Sequence, residues 1–113
     1  MAASEMDLSV EQGTQGSWSL LTVAGEIDLY TAPKLREALS SADGGTDLAV
    51  DLRGVRFMDS MGLGVLIGAR RRTVEGDGRF ALVCTEGPVL RVLDVSGLTT
   101  VFEVVNTPEA LPA

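Results

Sequence analysis

The segment Phe57-Met58-Asp59-Ser60-Met61-Gly62-Leu63-Gly64 sets a hydroxyl beside a carboxylate where a strand-like run gives way to a helix. Unpaired backbone N–H groups and the positive end of a helix dipole gather at such a start and favour an anion there. The residue types leave two readings open. Either Ser60, or Asp59, is an N-cap and the glycines serve tight packing, or Ser60 is a hydroxyl that receives a phosphate. Gly62 and Gly64 each lower helix propensity by roughly 1 kcal/mol relative to alanine. Glycines in a first turn need a reason, and close approach of another molecule's backbone is one. Nucleophilic catalysis by Ser60 would need an adjacent base. The chain contains no histidine, which leaves only Asp59, Asp28 or Lys34 for that task, so an enzyme is not expected.

Other constellations carry less. Gly62-x-Gly64-x-x-x-Gly68 approaches a dinucleotide fingerprint, but its last gap is one residue too long and no acidic residue follows suitably. Asp51 at the end of a parallel strand would suit phosphate transfer to aspartate. That chemistry needs an acidic pair for magnesium and a lysine after the last strand, and Lys34 is the only lysine. Asp51 is therefore read as a strand-end carboxylate, and no cofactor or metal is expected. The run Gly25-Glu26-Ile27-Asp28-Leu29-Tyr30-Thr31 leads from a strand into a helix. Carboxyl ends of neighbouring parallel strands share one rim. Asp28, Tyr30 and Thr31 should then lie beside Asp59, Ser60, Met61, Gly62 and Leu63, forming one surface with Tyr30 and Met61 exposed. Plain capping by Asp28 or Thr31 is the alternative.

The elements that position these residues follow from periodicity. Residues 6–10 alternate weakly, as an edge strand, and Gly13-Thr14-Gln15-Gly16 reads as a turn. Residues 17–27 are apolar on both faces, which marks a central strand. Thr31 and Pro33 open a helix whose stripe is Leu35, Ala38 and Leu39, ended by Gly44-Gly45. Residues 46–52 form the next strand, with Leu48, Val50 and Leu52 on one side and a loop after Gly54. A helix over about 61–72 carries Leu63, Leu66 and Ile67 and closes on Arg70-Arg71-Arg72, which complement the negative dipole end. Residues 79–85 are a strand. A helix from Gly87-Pro88 with Val89, Val92 and Leu93 ends at Gly97. Residues 101–105 are the last strand, and Thr107-Pro108-Glu109 starts a helix cut short. Strands alternating with helices give an α/β fold with right-handed crossovers.

Composition bounds the rest. The 113 residues suit one domain spanning 1–113, and with 45% hydrophobic but only 4% aromatic residues the core must be aliphatic. A net charge of −7 repels a phosphate backbone, so direct nucleic-acid binding is not expected. Cys84, the single cysteine, lies in an apolar run and reads as a buried, inert thiol in a reducing compartment. No apolar run approaches the ~20 residues of a membrane span. The polar, acidic start of the chain does not resemble a signal peptide, and a cytoplasmic protein is expected.

Taken jointly and in order, these segments resemble the STAS domain family, specifically its stand-alone bacterial anti-sigma factor antagonists. The likeness runs through Gly25-Glu26-Ile27-Asp28-x-x-Thr31-Ala32-x-x-Leu35, then Val50-Asp51-Leu52 and the segment from Phe57 to Gly64. It ends with Val95-Ser96-Gly97-Leu98 and Val101-Phe102. The resemblance implies a STAS-like mixed, mostly parallel sheet of four to five strands packed with about four helices. It implies Ser60 as the phosphorylated residue. It implies a partner that is an anti-sigma factor and a serine kinase at once, and a serine phosphatase that resets the switch. Met61 departs from the small residue many members carry there. An accessory STAS subunit of a transport or signalling complex, with Ser60 as a structural cap, is the alternative the resemblance leaves.

Overall fold

Leu8 is buried and Val10 half-buried, but the five residues after Val10 are nearly all exposed and polar. Backbone pairing with an antiparallel neighbour nevertheless continues to the end of this run. The computed structural model describes residues 8–42 and 47–113. In it β1 (Leu8–Gln15) pairs antiparallel with β2 (Trp18–Ile27), from Leu8 opposite Gly25 to Gln15 opposite Trp18. Gly13-Thr14-Gln15 is thus strand and not turn. The reversal falls on Gly16 and Ser17, with Gly16 at φ +60°, as primed hairpin turns demand. Met6 and Asp7 lie outside the described residues, as do Gly44, Gly45 and Thr46.

The chain continues through α1 (Ala32–Ala42), β3 (Leu48–Met58), α2 (Ser60–Glu75), β4 (Phe80–Val83), α3 (Pro88–Ser96) and β5 (Glu103–Val105). The sheet order is β1-β2-β3-β4-β5, and every pairing after the first is parallel. Single-turn 3-10 helices at Leu98–Thr100 and Pro108–Ala110 flank β5. The helix expected from Thr107 is therefore one 3-10 turn, and the last strand starts at Glu103 because a 3-10 turn takes the residues before it. Among the described residues three α-helices stand where about four helices were expected.

All three helices pack on one sheet face. Leu35 and Leu39 of α1, Val65, Leu66 and Ala69 of α2, and Val89 and Leu93 of α3 meet Val23, Val50, Leu52, Leu82 and Cys84 in a single aliphatic core. The opposite face is thinner: Trp18, Ala49 and Ala81, with Leu20 and Leu111 against them. There the C-terminal segment is pinned by Trp18 Nε1 donating to Pro112 O at 2.7 Å, with Arg79 stacked 4.9 Å over the indole.

Two departures from the periodicity bear on function. First, β3 runs on through Gly54 to Met58, where a loop was expected. A Cβ on Gly54 would meet Ala24 Cβ at 2.9 Å, so this glycine permits close strand approach at a register shift. Asp51 is accordingly in mid-strand and not at the strand end. It sits opposite Thr22 and Val83, 3% exposed, held by Arg53 at 2.8 Å. Second, α2 starts at Ser60 and extends past Arg72 to Glu75, and its buried stripe is Gly62, Val65, Leu66, Ala69 and Thr73. Leu63 and Ile67 are only half-buried at its margin. Three glycines blur the apolar period of this helix, so packing decides which side faces the sheet.

Candidate docking and modification surface

Beyond Asp51, β3 leaves β4 and pairs with β2 alone; past Gly25 the two run on as a two-stranded ribbon among the described residues, and Ile27 ends opposite Met58. The two following turns are tied together by Asp59 N donating to Ile27 O at 3.2 Å. This puts the β2–α1 turn beside the start of α2, as the shared rim of parallel strands requires.

The β2–α1 turn is held by its own side chains. Asp28 Oδ1 accepts from Tyr30 N at 2.9 Å and Thr31 N at 3.1 Å. Thr31 Oγ1 donates to Glu26 O at 2.8 Å and accepts from Asp28 N at 2.9 Å. Thr31 is buried, so it shapes the surface from beneath. What the turn presents is Tyr30, 78% exposed, and Leu29, 60% exposed. Leu29 and the exposed Phe57 were not singled out from sequence, because nothing in an apolar residue's type says which way a turn or ribbon edge will aim it.

At the start of α2 the ambiguity between Asp59 and Ser60 is resolved. Asp59 has extended backbone, and its Oδ1 accepts from Met61 N at 2.9 Å. Asp59 is the N-cap. Ser60 is the first helical residue, exposed, and its hydroxyl has no hydrogen-bond partner among the described residues. Met61 is 40% exposed. Gly62 faces inward: a Cβ there would meet Met58 Cγ at 2.6 Å and Ile27 Cγ2 at 2.8 Å. Its glycine lets the helix start sit directly on the strand ends. Gly64 is exposed with nothing within 4 Å of a Cβ, so the chain itself supplies no reason for glycine there.

Leu63 leads outward into a shallow groove of about 350 Å³ between α2 and α3, lined by Ser60, Leu63, Arg91, Val92, Val95 and Ser96. Val95 is 84% exposed. The α3 side of this groove was not anticipated, since Val89, Val92 and Leu93 account for the helical period and Val95 falls outside it. Of the residues expected on one surface, Tyr30, Ser60 and Met61 are exposed and Asp28, Asp59 and Leu63 are half-buried. Thr31 and Gly62 lie behind them.

A family model described as the STAS domain matches residues 8–111. The chain belongs to the STAS domain family. It is 33% identical over 101 residues to the anti-sigma-B factor antagonist of Staphylococcus aureus, covering 88% of this chain and 94% of that one. Among solved structures it is similar to an anti-sigma factor antagonist from Mycobacterium paratuberculosis, at a TM-score of 0.79 and 27% identity. That match covers 88% of this chain and 86% of the other. The phosphorylated form of the Bacillus cell fate determinant SpoIIAA superposes with a TM-score of 0.65 at 26% identity, covering 91% and 95%. The STAS fold is thus the five-stranded mixed sheet described above. Among the described residues no helix is long and apolar enough to cross a membrane.

Proposed function

We propose that this STAS domain protein is an anti-sigma factor antagonist whose docking surface is switched off by phosphorylation of Ser60. In the unphosphorylated state the surface around Asp28, Tyr30, Asp59, Ser60, Met61 and Leu63 binds an anti-sigma factor that is also a serine kinase, and a sigma factor is released. The kinase transfers the γ-phosphoryl group of ATP to Ser60 Oγ, the hydroxyl proton leaves to the kinase's base, and ADP departs. A serine phosphatase hydrolyses the ester and restores the surface. The chain acts as one domain, in the cytoplasm, and performs no chemistry itself.

The observation that carries this reading is the Ser60 hydroxyl. It is exposed and unpartnered, one residue past the carboxylate that caps the helix, within a face bearing Tyr30, Met61 and the α2–α3 groove. Because Asp59 takes the capping role, Ser60 is free of it, and the alternative of Ser60 as a structural cap loses its support.

The physical consequence of phosphorylation is large. The phosphate adds about −1.5 to −2 charges at pH 7 beside Asp59. Burying that charge unpaired at an interface costs several kcal/mol, and each ~1.4 kcal/mol is tenfold in affinity. A loss of 100-fold or more is expected. Ser60→Ala should hold the partner without release by ATP, and Ser60→Glu should fail to hold it. Purified partner, ATP and mass spectrometry should place the phosphate on Ser60. Equal binding by wild type and both variants, or a phosphate mapped elsewhere, would refute the reading.

A further inference from the structure

A phosphate on Ser60 finds the helix start already taken. Asp59 Oδ1 holds Met61 N, and the N–H groups of Gly62 and Leu63 point to Asp59 O at 3.1 and 3.3 Å. The positive end of α2 is thereby already balanced by a carboxylate, and a dianion added one residue on meets that carboxylate as a like charge. Any charge compensation from within the chain has to come from another element. Across the groove α3 supplies it, since Arg91 lines the same depression as Ser60.

Arg91 is exposed, and among the described residues its guanidinium, like those of Arg36, Arg70, Arg71 and Arg72, has no ion pair, but of these only Arg91 lines the groove with Ser60. Glu86 and Asp94 border its other side, and neither comes within ion-pair distance. The remaining hydroxyl of the groove, Ser96 Oγ, donates back to Val92 O at 2.8 Å and Leu93 O at 3.1 Å, so it offers a phosphate no donor. Guanidinium suits this task because its planar fork meets two phosphate oxygens at once.

We propose that Arg91 is the internal partner of the Ser60 phosphate, swinging across the groove to pair with it. This rests on Ser60 being the phosphoacceptor and deepens that reading. The aliphatic stem of Arg91 would then lie over Leu63, Val92 and Val95, as arginine stems lie on apolar surface. Phosphorylation thus acts on the docking face twice: it adds charge, and it covers the apolar groove beside that charge. Arg91 is a positioning residue for the switched-off state.

The test installs phosphoserine at position 60 during translation, so no kinase is involved. The second ionisation of the phosphate is followed by phosphorus-31 NMR in the wild-type, Arg91→Gln and Arg91→Lys backgrounds. A neighbouring cation favours the dianion and lowers this pKa, while Asp59, Glu86 and Asp94 raise it. Removing Arg91 should therefore move it up by about half a unit, a threefold change in proton affinity. Arg91→Lys should keep part of the depression. The difference should shrink at 1 M salt, where the screening length is about 3 Å. Melting of the unphosphorylated protein should be the same with and without Arg91, which a merely structural role would not allow. Superimposable titrations in all three backgrounds would overturn the proposal. Because the phosphate is supplied, absence of Ser60 phosphorylation in cells would sink the proposed switch and leave this pairing standing.

Discussion

Replacing Gly62 and Gly64 with alanine, one at a time, should affect stability differently although the two sit two residues apart on one helix. Both substitutions gain the same intrinsic term, up to about 1 kcal/mol of helix propensity. At Gly64 nothing lies within 4 Å of the new methyl, so that gain should survive. At Gly62 the methyl would arrive 2.6 Å from Met58 Cγ, 2.9 Å from Met58 Sδ and 2.8 Å from Ile27 Cγ2. The methionine is flexible and can give way. Ile27 is fully buried on β2, and its branched methyl moves only if the helix start lifts off the ribbon. Overpacking of this kind costs about 1–3 kcal/mol, so Gly62→Ala should be neutral to destabilising by roughly 2 kcal/mol. Equilibrium urea unfolding, read from the single buried Trp18, measures the gap. With a slope near 2 kcal/mol per M, the two midpoints should separate by about 1 M. A Gly62→Ala protein as stable as Gly64→Ala would refute the packing argument. A stabilised Gly64→Ala protein that binds the anti-sigma partner more weakly would show that this glycine serves close approach of a second backbone.

Two other perturbations test the scaffold beneath the surface. Thr31→Val keeps the shape of a buried side chain but removes the hydroxyl that serves both Glu26 O and Asp28 N. It should destabilise by about 1–3 kcal/mol in chemical denaturation and loosen the turn that presents Tyr30. Cys84 is raised above its ordinary thiol value by burial first and by the nearby Asp51 charge second. A raised folded value means the thiol's contribution is whole below the unfolded pKa of about 8.5 and is lost as pH climbs toward the folded one. Wild-type stability should therefore fall through the alkaline range more steeply than that of Cys84→Ala, and pH-dependent denaturation with parallel curves would disprove it.

Much of the surface was legible along the chain because its parts are local. Asp59-Ser60 before a helical run, and Asp28 three residues ahead of Thr31, are short-range patterns whose hydrogen bonds close within a turn. The shared rim of parallel strands then brings the two turns together without further information. The β1–β2 hairpin was less legible. A strand of mostly exposed, polar residues has no apolar period, and only the backbone of β2 makes it a strand. The same holds for the outer half of β3, where Arg53, Gly54, Arg56 and Phe57 are exposed and pairing with β2 alone sustains the extended chain.

By itself the sequence determined an aliphatic α/β domain, a hydroxyl beside a carboxylate at a helix start, and a family resemblance strong enough to name the STAS fold. Those follow from residue types and short spacings. Only the tertiary structure decided that Asp59 and not Ser60 caps α2, that Thr31 and Gly62 work from behind the surface, and that Leu63 and Val95 frame a groove holding Arg91. Each of these turns on which side of an element faces the sheet. In a helix as rich in glycine as α2, the apolar period is too weak to settle that, and contacts from residues far along the chain do so instead.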